Sequence, residues 1–314
     1  MFANFQHRKL VTASGLVTIC VSLSASSALG HAPLADSVAK QTRILAQTPA
    51  DPQALIERAR LQRLRGRSAA ALVDLDLVLK DRPSDRRATY EKVLALANLH
   101  RDDEAVVLLD SLIEQNPAAI AALNERAKLH ARNGRAKAAI ADYDDSIAHH
   151  PSLPAYLERG RLLIADGMLD RAATGYRDAV ARLGRSVSLL RAMAELETTR
   201  GRYDAALQLV DTGLARAGVK TRWYLQRATV LDAAGRDEEA ARDRNRALAE
   251  AESVLSKRST PLNLLARARV RLALGHCAEA TADASQAMRR VPALAAAREV
   301  LESARACTKR TVAM

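Results

Sequence analysis

The chain has 314 residues and a net charge of +12; 48% of its residues are hydrophobic but only 3% are aromatic. That composition argues against an aromatic globular core and points to alanine and leucine packed between helices. A basic balance ordinarily suggests nucleic acid, but an export-type N-terminus and few aromatics to stack bases make nucleic acid a poor partner, and anionic polymers, lipid head groups or acidic protein segments fit better.

Residues 1–30 open with His7-Arg8-Lys9, run uncharged from residue 10 to 21, and continue with the small residues SASSALGHA. This is the pattern of a bacterial-type signal peptide cleaved between about Ala28 and Ala32, which would leave the mature chain in the periplasm. The rival reading is an uncleaved anchor, the one route by which this chain would touch a membrane; its serine-rich second half argues against it. Cys20 follows Ile19, too bulky for a lipid-attachment motif, and would leave with the signal. Residues 31–51 read as a linker with a short capping helix from Asp36 to about Gln47. Thr48-Pro49-Ala50-Asp51-Pro52 then breaks the chain.

From residue 52 to 292 one unit recurs. Residues 120–151 show it best: apolar and small residues Leu123, Ala127 and Leu129 suit a first helix, Asn133-Gly134 a turn, and Ala139, Ile140, Tyr143 and Ile147 a second helix ended by Pro151. A column of small residues runs Ala59, Val93, Ala127, Gly160, Ala194, Ala228 and Ala268. A second column is alanine throughout: Ala71, Ala105, Ala139, Ala172, Ala206, Ala240 and Ala280. Both columns step by 34 residues, except for 33 before repeat four and 40 before repeat seven. Between them lies a turn glycine (Gly66, Gly134, Gly167, Gly201, Gly235, Gly275), with only His100 departing. The repeats fall at about 52–85, 86–119, 120–152, 153–186, 187–220, 221–260 and 261–292. The six extra residues in ALAEAESVLSKRS lengthen the second helix of repeat six by about 9 Å. Residues 293–314 form one more amphipathic helix and a tail, a C-terminal cap.

These features resemble the tetratricopeptide repeat family over about residues 52–292, as an exported bacterial-type member. The resemblance implies an all-α, right-handed superhelical solenoid of about seven helix-turn-helix units with a cap at each end. The first helix of each pair would line a concave surface. The family's aromatic near the start of the first helix is present only as Tyr156 and Tyr224, with Leu55, Thr89, Leu123, Leu190 and Leu264 in the other copies. The fold also implies that Cys277, at a turn, and Cys307, near the end of the cap, lie along one edge. In a compartment that permits disulfides two outcomes stand, a Cys277 to Cys307 bond or two separate thiols.

Chemistry is sparse. There is no H-E-x-x-H, phosphate-cradling glycine loop or G-x-S-x-G elbow, so no enzyme, metal or cofactor is expected. His149-His150 read as surface histidines, His130 as a buried and hydrogen-bonded one, and Asp144-Asp145 as a solvated pair. Arg58, Arg126, Arg227 and Arg267 are each followed sixteen residues later by Asp74, Asp142, Asp243 and Asp283. These spacings predict ion pairs between the two helices of a repeat, with partial exposure limiting each to about 0–1 kcal/mol. Arg159 faces Gly175 and breaks the rule.

The stripe that the resemblance turns toward the groove contains Arg60, Arg63, Arg87, Tyr90, Asn124, Lys128, Arg161, Arg191, Arg222 and Arg269, with Arg132 at its edge. Basic residues are enriched there. Leu157, Leu262, Leu265 and Leu272 interleave with them, which suits a peptide with acidic and apolar side chains. Arginines and Lys128 would supply attraction and Tyr90 an aromatic anchor. Asn124 with Lys128 resembles part of the family's clamp for chaperone tails, but adjacent repeats lack the matching residues. Two functions stand: a non-catalytic envelope scaffold holding a partner protein during assembly or secretion, or an accessory subunit of an exopolysaccharide or other anionic-polymer machine.

Overall fold

The structure, a computed structural model, describes residues 32–292 and 294–312. The expected signal, residues 1–30, lies outside the described residues. Sixteen helices fill the described chain. A first helix α1 (Ala32–Gln47) is followed by the hairpins α2 (Pro52–Leu64) with α3 (Ser68–Asp81), α4 (Arg86–Asn98) with α5 (Asp102–Gln115), and α6 (Ile120–Arg132) with α7 (Ala136–His149). Next come α8 (Leu153–Ala165) with α9 (Leu169–Leu183), α10 (Val187–Thr199) with α11 (Tyr203–Arg216), α12 (Thr221–Ala233) with α13 (Asp237–Lys257), and α14 (Pro261–Ala273) with α15 (Cys277–Arg290). Helix α16 (Ala295–Val312) closes the array.

Local chemistry sets these boundaries. Asp51 accepts hydrogen bonds from the backbone N–H groups of Gln53 and Ala54, and Asp85 from those of Arg87 and Ala88; each cap contributes about 1 kcal/mol. First helices end where the turn glycine takes a left-handed conformation, with φ between 72° at Gly134 and 79° at Gly275. The next residue then reaches back to the last helical turn, as Arg135 N–H does to the His130 carbonyl at 2.8 Å. His100 holds the same conformation at φ 57° without being glycine. Helix α13 has 21 residues where α11 and α15 have 14, so the insertion in repeat six is helical.

Helices pack through the two small columns, whose members are buried. Where a larger side chain must cross, its partner is glycine. A Cβ on Gly160 would lie 2.3 Å from the Tyr176 ring, and one on Gly213 would lie 2.1 Å from Trp223. Trp223, rather than the half-buried Tyr224, is thus the buried aromatic of repeat six.

First helices touch the next first helix in the pairs α2 with α4, α8 with α10, α10 with α12, and α12 with α14. Successive second helices make no comparable contact. The array therefore curves toward its first helices, which form the inner face. Both ends are covered: Ile44 and Leu45 of α1 join the first core, and Ala297, Val300 and Leu301 of α16 close over Leu264, Leu265 and Ala284. α1 begins at Ala32, four residues before Asp36. A disulfide joins Cys277 to Cys307 and ties α16 to α15, with the Cα atoms 5.7 Å apart.

The sixteen-residue ion pairs form in all four copies. The contacts are Arg58 to Asp74 at 2.6 Å, Arg126 to Asp142 at 2.6 Å, Arg227 to Asp243 at 3.3 Å and Arg267 to Asp283 at 2.7 Å. Their aspartates are buried, with side-chain exposure of only 4% at Asp74 and 2% at Asp243. The net worth of such a pair is a separate quantity from the cost of breaking it: removing Arg58 or Arg126 strands a buried carboxylate at Asp74 or Asp142, at a cost of about 3 kcal/mol, whereas Asp243 and Asp283 keep second cations in Arg246 and Arg271. Several cations also reach back one repeat, Lys92 to Asp76 and Arg126 to Asp110, which stitches neighbouring hairpins together. Arg159, facing Gly175, lays its guanidinium into the space a Cβ would fill and pairs with Asp144 at 2.6 Å. Asp144 also meets Arg171, so it is a structural anion, whereas Asp145 is exposed. His130 lies 3.9 Å from Asp142 with its Nδ1 buried and unpartnered, not hydrogen-bonded as the sequence suggested.

Candidate functional site

The inner face carries the expected cations, but they fall into two groups. In repeats one to four each lies against a carboxylate of the chain itself. Arg60 pairs with Glu57 at 3.1 Å, Lys128 with Glu125 at 2.9 Å, and Arg161 with Glu158 at 2.6 Å, each across one helical turn. Across repeats, Arg63 meets Glu91 at 3.0 Å, and Arg87 lies 3.8 Å from Glu57 while donating to Gln53 at 3.0 Å. Arg132 is held by Asp102 and by the Ala97 carbonyl, which makes it a strut between repeats two and three. Tyr90 is half-buried, and its phenol is pushed above its usual pKa by burial and by Glu125 and Glu91. The side-chain oxygen of Asn124 is buried without a hydrogen-bond partner.

The glutamates responsible occupy one column: Glu57, Glu91, Glu125 and Glu158. In repeats five to seven the same position is Ala192, Gln226 and Ala266. Sequence reasoning missed this column although its steps are those of the small-residue columns. Its meaning depends on which cations it faces.

With the glutamates gone, Arg191, Arg222 and Arg269 have no carboxylate within ion-pair distance among the described residues. They line one cavity of about 530 Å³ on α10, α12 and α14, together with Glu195, Thr198, Leu225, Gln226 and Thr229. Gln226 fixes the most buried of the three. Arg191 Nε donates to its Oε1 at 2.9 Å, and its Nε2 donates back to the Arg191 carbonyl at 2.8 Å, so both terminal guanidinium nitrogens of Arg191 remain for a ligand. Burial depresses the Arg191 pKa, and repulsion from Arg222 and Arg269 adds to this against an opposing pull from Glu195. The Arg269 pKa is depressed by burial and by Arg222, with Glu299 opposing. Arg191 and Arg269 nevertheless stay charged at neutral pH, since a guanidinium does not lose its proton in that range. The threonine hydroxyls are occupied: Thr198 donates to the Ala194 carbonyl at 2.7 Å and Thr229 to that of Leu225 at 3.1 Å. Positive charge is therefore the chief recognition element of this cavity. Among the described residues no three His, Cys, Asp or Glu side chains group as metal ligands, and no helix is long and apolar enough to cross a membrane.

The arrangement defines a class of fold, a tetratricopeptide-repeat-like solenoid with an open inner face. The fold is similar to a tetratricopeptide repeat protein from Parabacteroides merdae, with a TM-score of 0.57 and 20% identity over 81% of this chain and 98% of that one. It is also similar to yeast Tom70, with a TM-score of 0.60 and 14% identity over 88% of this chain and 59% of Tom70. The chain thus spans about three fifths of the Tom70 structure. These likenesses concern the fold. No family model matches the sequence, and no curated protein matches it.

Proposed function

We propose that the chain is a non-catalytic interaction scaffold of the bacterial cell envelope that holds a segment of a partner protein on its inner face during assembly or secretion. The carrying observation is the cavity in which Arg191, Arg222 and Arg269 face one another with Glu195 as its single lining carboxylate, outside ion-pair distance of all three. Like charges gathered in a concave, partly desolvated site cost stability, and an anionic ligand relieves that cost. The charge geometry moves the weight of attraction from Arg60, Arg87 and Lys128, which have acidic neighbours of their own, to repeats five to seven. An accessory role in gripping an anionic polymer is less well supported, because a polymer would track a continuous basic stripe and the glutamate column interrupts this one. The envelope assignment rests on the signal-like residues 1–30 and agrees with the Cys277 to Cys307 disulfide, a bond that persists in oxidising compartments.

The test is capture of partners from envelope extract by the mature chain and by two charge variants. An Arg191→Ala/Arg222→Ala/Arg269→Ala triple should lose a salt-sensitive protein partner that the wild type retains, while Arg60→Glu/Arg87→Glu/Lys128→Glu keeps it. Retention of a polysaccharide in place of a protein would transfer the assignment to the polymer machine.

A further inference from the structure

We infer that the cavity on α10, α12 and α14 is a subsite for an extended acidic segment with two carboxylates on alternate residues, of the form Asp/Glu-x-Asp/Glu. This rests on the scaffold reading above and names the chemistry of its ligand. Charge comes first: the lining carries Arg191, Arg222 and Arg269 against Glu195 alone, a surplus of two positive charges. Two carboxylates balance it and one does not.

Spacing comes second. The three arginines project from three successive first helices, and packed helices lie about 8–10 Å apart. A segment crossing them in extended form places same-face side chains about 7 Å apart, two residues along. One carboxylate then sits between Arg191 and Arg222 and the next between Arg222 and Arg269, within the sweep of long arginine side chains. A contiguous acidic pair would point its two side chains to opposite faces, and only one would reach the cavity. The volume of about 530 Å³ holds a short stretch of chain rather than a single ion.

Preorganisation comes third. Gln226 is the neutral counterpart of the glutamates at Glu57, Glu91, Glu125 and Glu158. It orients Arg191 by two hydrogen bonds and leaves its charge uncancelled. Gln226→Glu would give Arg191 the carboxylate neighbour that the cations of repeats one to four already have.

The experiment uses the mature full chain and fluorescein-labelled, end-capped peptides whose only charges besides the dye are two glutamates, placed either on alternate residues or side by side. Inorganic phosphate and a polyuronate serve as competitors. By fluorescence anisotropy the alternate peptide should bind at least about five-fold more tightly than the contiguous one. Gln226→Glu should weaken it by about ten-fold with the far-ultraviolet circular dichroism spectrum unchanged, and Arg60→Glu/Arg87→Glu/Lys128→Glu should leave it within two-fold. Equal binding of the two peptides, or indifference to Gln226→Glu, overturns the inference, as does displacement by phosphate or polyuronate below the concentration of free diglutamate peptide needed. If the peptide arm fails while the triple arginine-to-alanine variant still loses its envelope partner, the ligand chemistry is wrong and the scaffold stands. If that variant keeps its partner, both fall.

Discussion

On the inner face of repeats one to four, cations lie against carboxylates one turn away or one repeat away, as Arg161 does on Glu158 and Arg63 on Glu91. On repeats five to seven there is one inner-face cation per repeat, yet Arg191, Arg222 and Arg269 face one another across a cavity. Both halves repeat the same hairpin, with its buried alanines and an interhelix ion pair, apart from the lengthened α13. What separates them is a single column, glutamate in four copies and Ala192, Gln226 and Ala266 in the other three. A repeat array thus keeps its scaffold constant while varying one inner-face position to decide where an anion is welcome. Counting basic residues along the groove does not reveal this; pairing them does.

The largest expected effect tests whether the scaffold is indeed common to both halves. Arg126→Met strands Asp142, and Arg267→Met with Arg271→Met strands Asp283, which pairs with both arginines; each should destabilise the array by about 3 kcal/mol in urea unfolding. Pairing either with the matching aspartate changed to leucine should recover most of the loss. A much smaller cost in one half would show that the ion-pair ladder is not shared.

A second effect separates the halves by pH. Tyr143, Tyr156 and Tyr176, all in repeats three and four, are pushed up to about 12, chiefly by burial. The folded state therefore favours the neutral phenol. Their contribution is intact below pH 10, the ordinary phenol value, and is lost as pH rises from 10 toward 12. Hydrogen exchange in that window should accelerate first in α7, α8 and α9, ahead of α12 and α14.

A smaller effect sharpens the electrostatic contrast. Glu57→Gln with Glu125→Gln frees Arg60, Arg87 and Lys128, and should raise the affinity of the N-terminal half for an acidic peptide by about 1 kcal/mol while steepening its salt dependence. No change would mean that those exposed pairs do not mask the cations. The smallest effect is at the turn of repeat two. His100→Gly should stabilise the chain by about 0.5 kcal/mol, because glycine carries no left-handed penalty but loses more entropy on folding; a thermal melt reads it.

Much of this architecture was legible in the sequence. The hairpins were, since helix starts, turn glycines and small columns act through neighbours a few residues away and recur at a fixed period. So were the Arg58 to Asp74 type of ion pair and the long α13, both of which follow from register along a known repeat. Trp223 was overlooked because its burial depends on the missing side chain at Gly213, ten residues earlier on another helix. The role of Arg159 was hidden for the same reason, its space being supplied by Gly175 and its charge partner by Asp144 of the preceding repeat.

The sequence by itself determined the repeat, its count, its caps and the scaffold contacts within each hairpin, because those are local interactions repeated at constant spacing. Only the tertiary structure decided which inner-face cations are available. Arg63 is neutralised by Glu91 from the next hairpin, and Arg191 is oriented by Gln226 at a separation of 35 residues. Coulomb forces depend on distance through space, and successive first helices bring such residues together only once the array has curved.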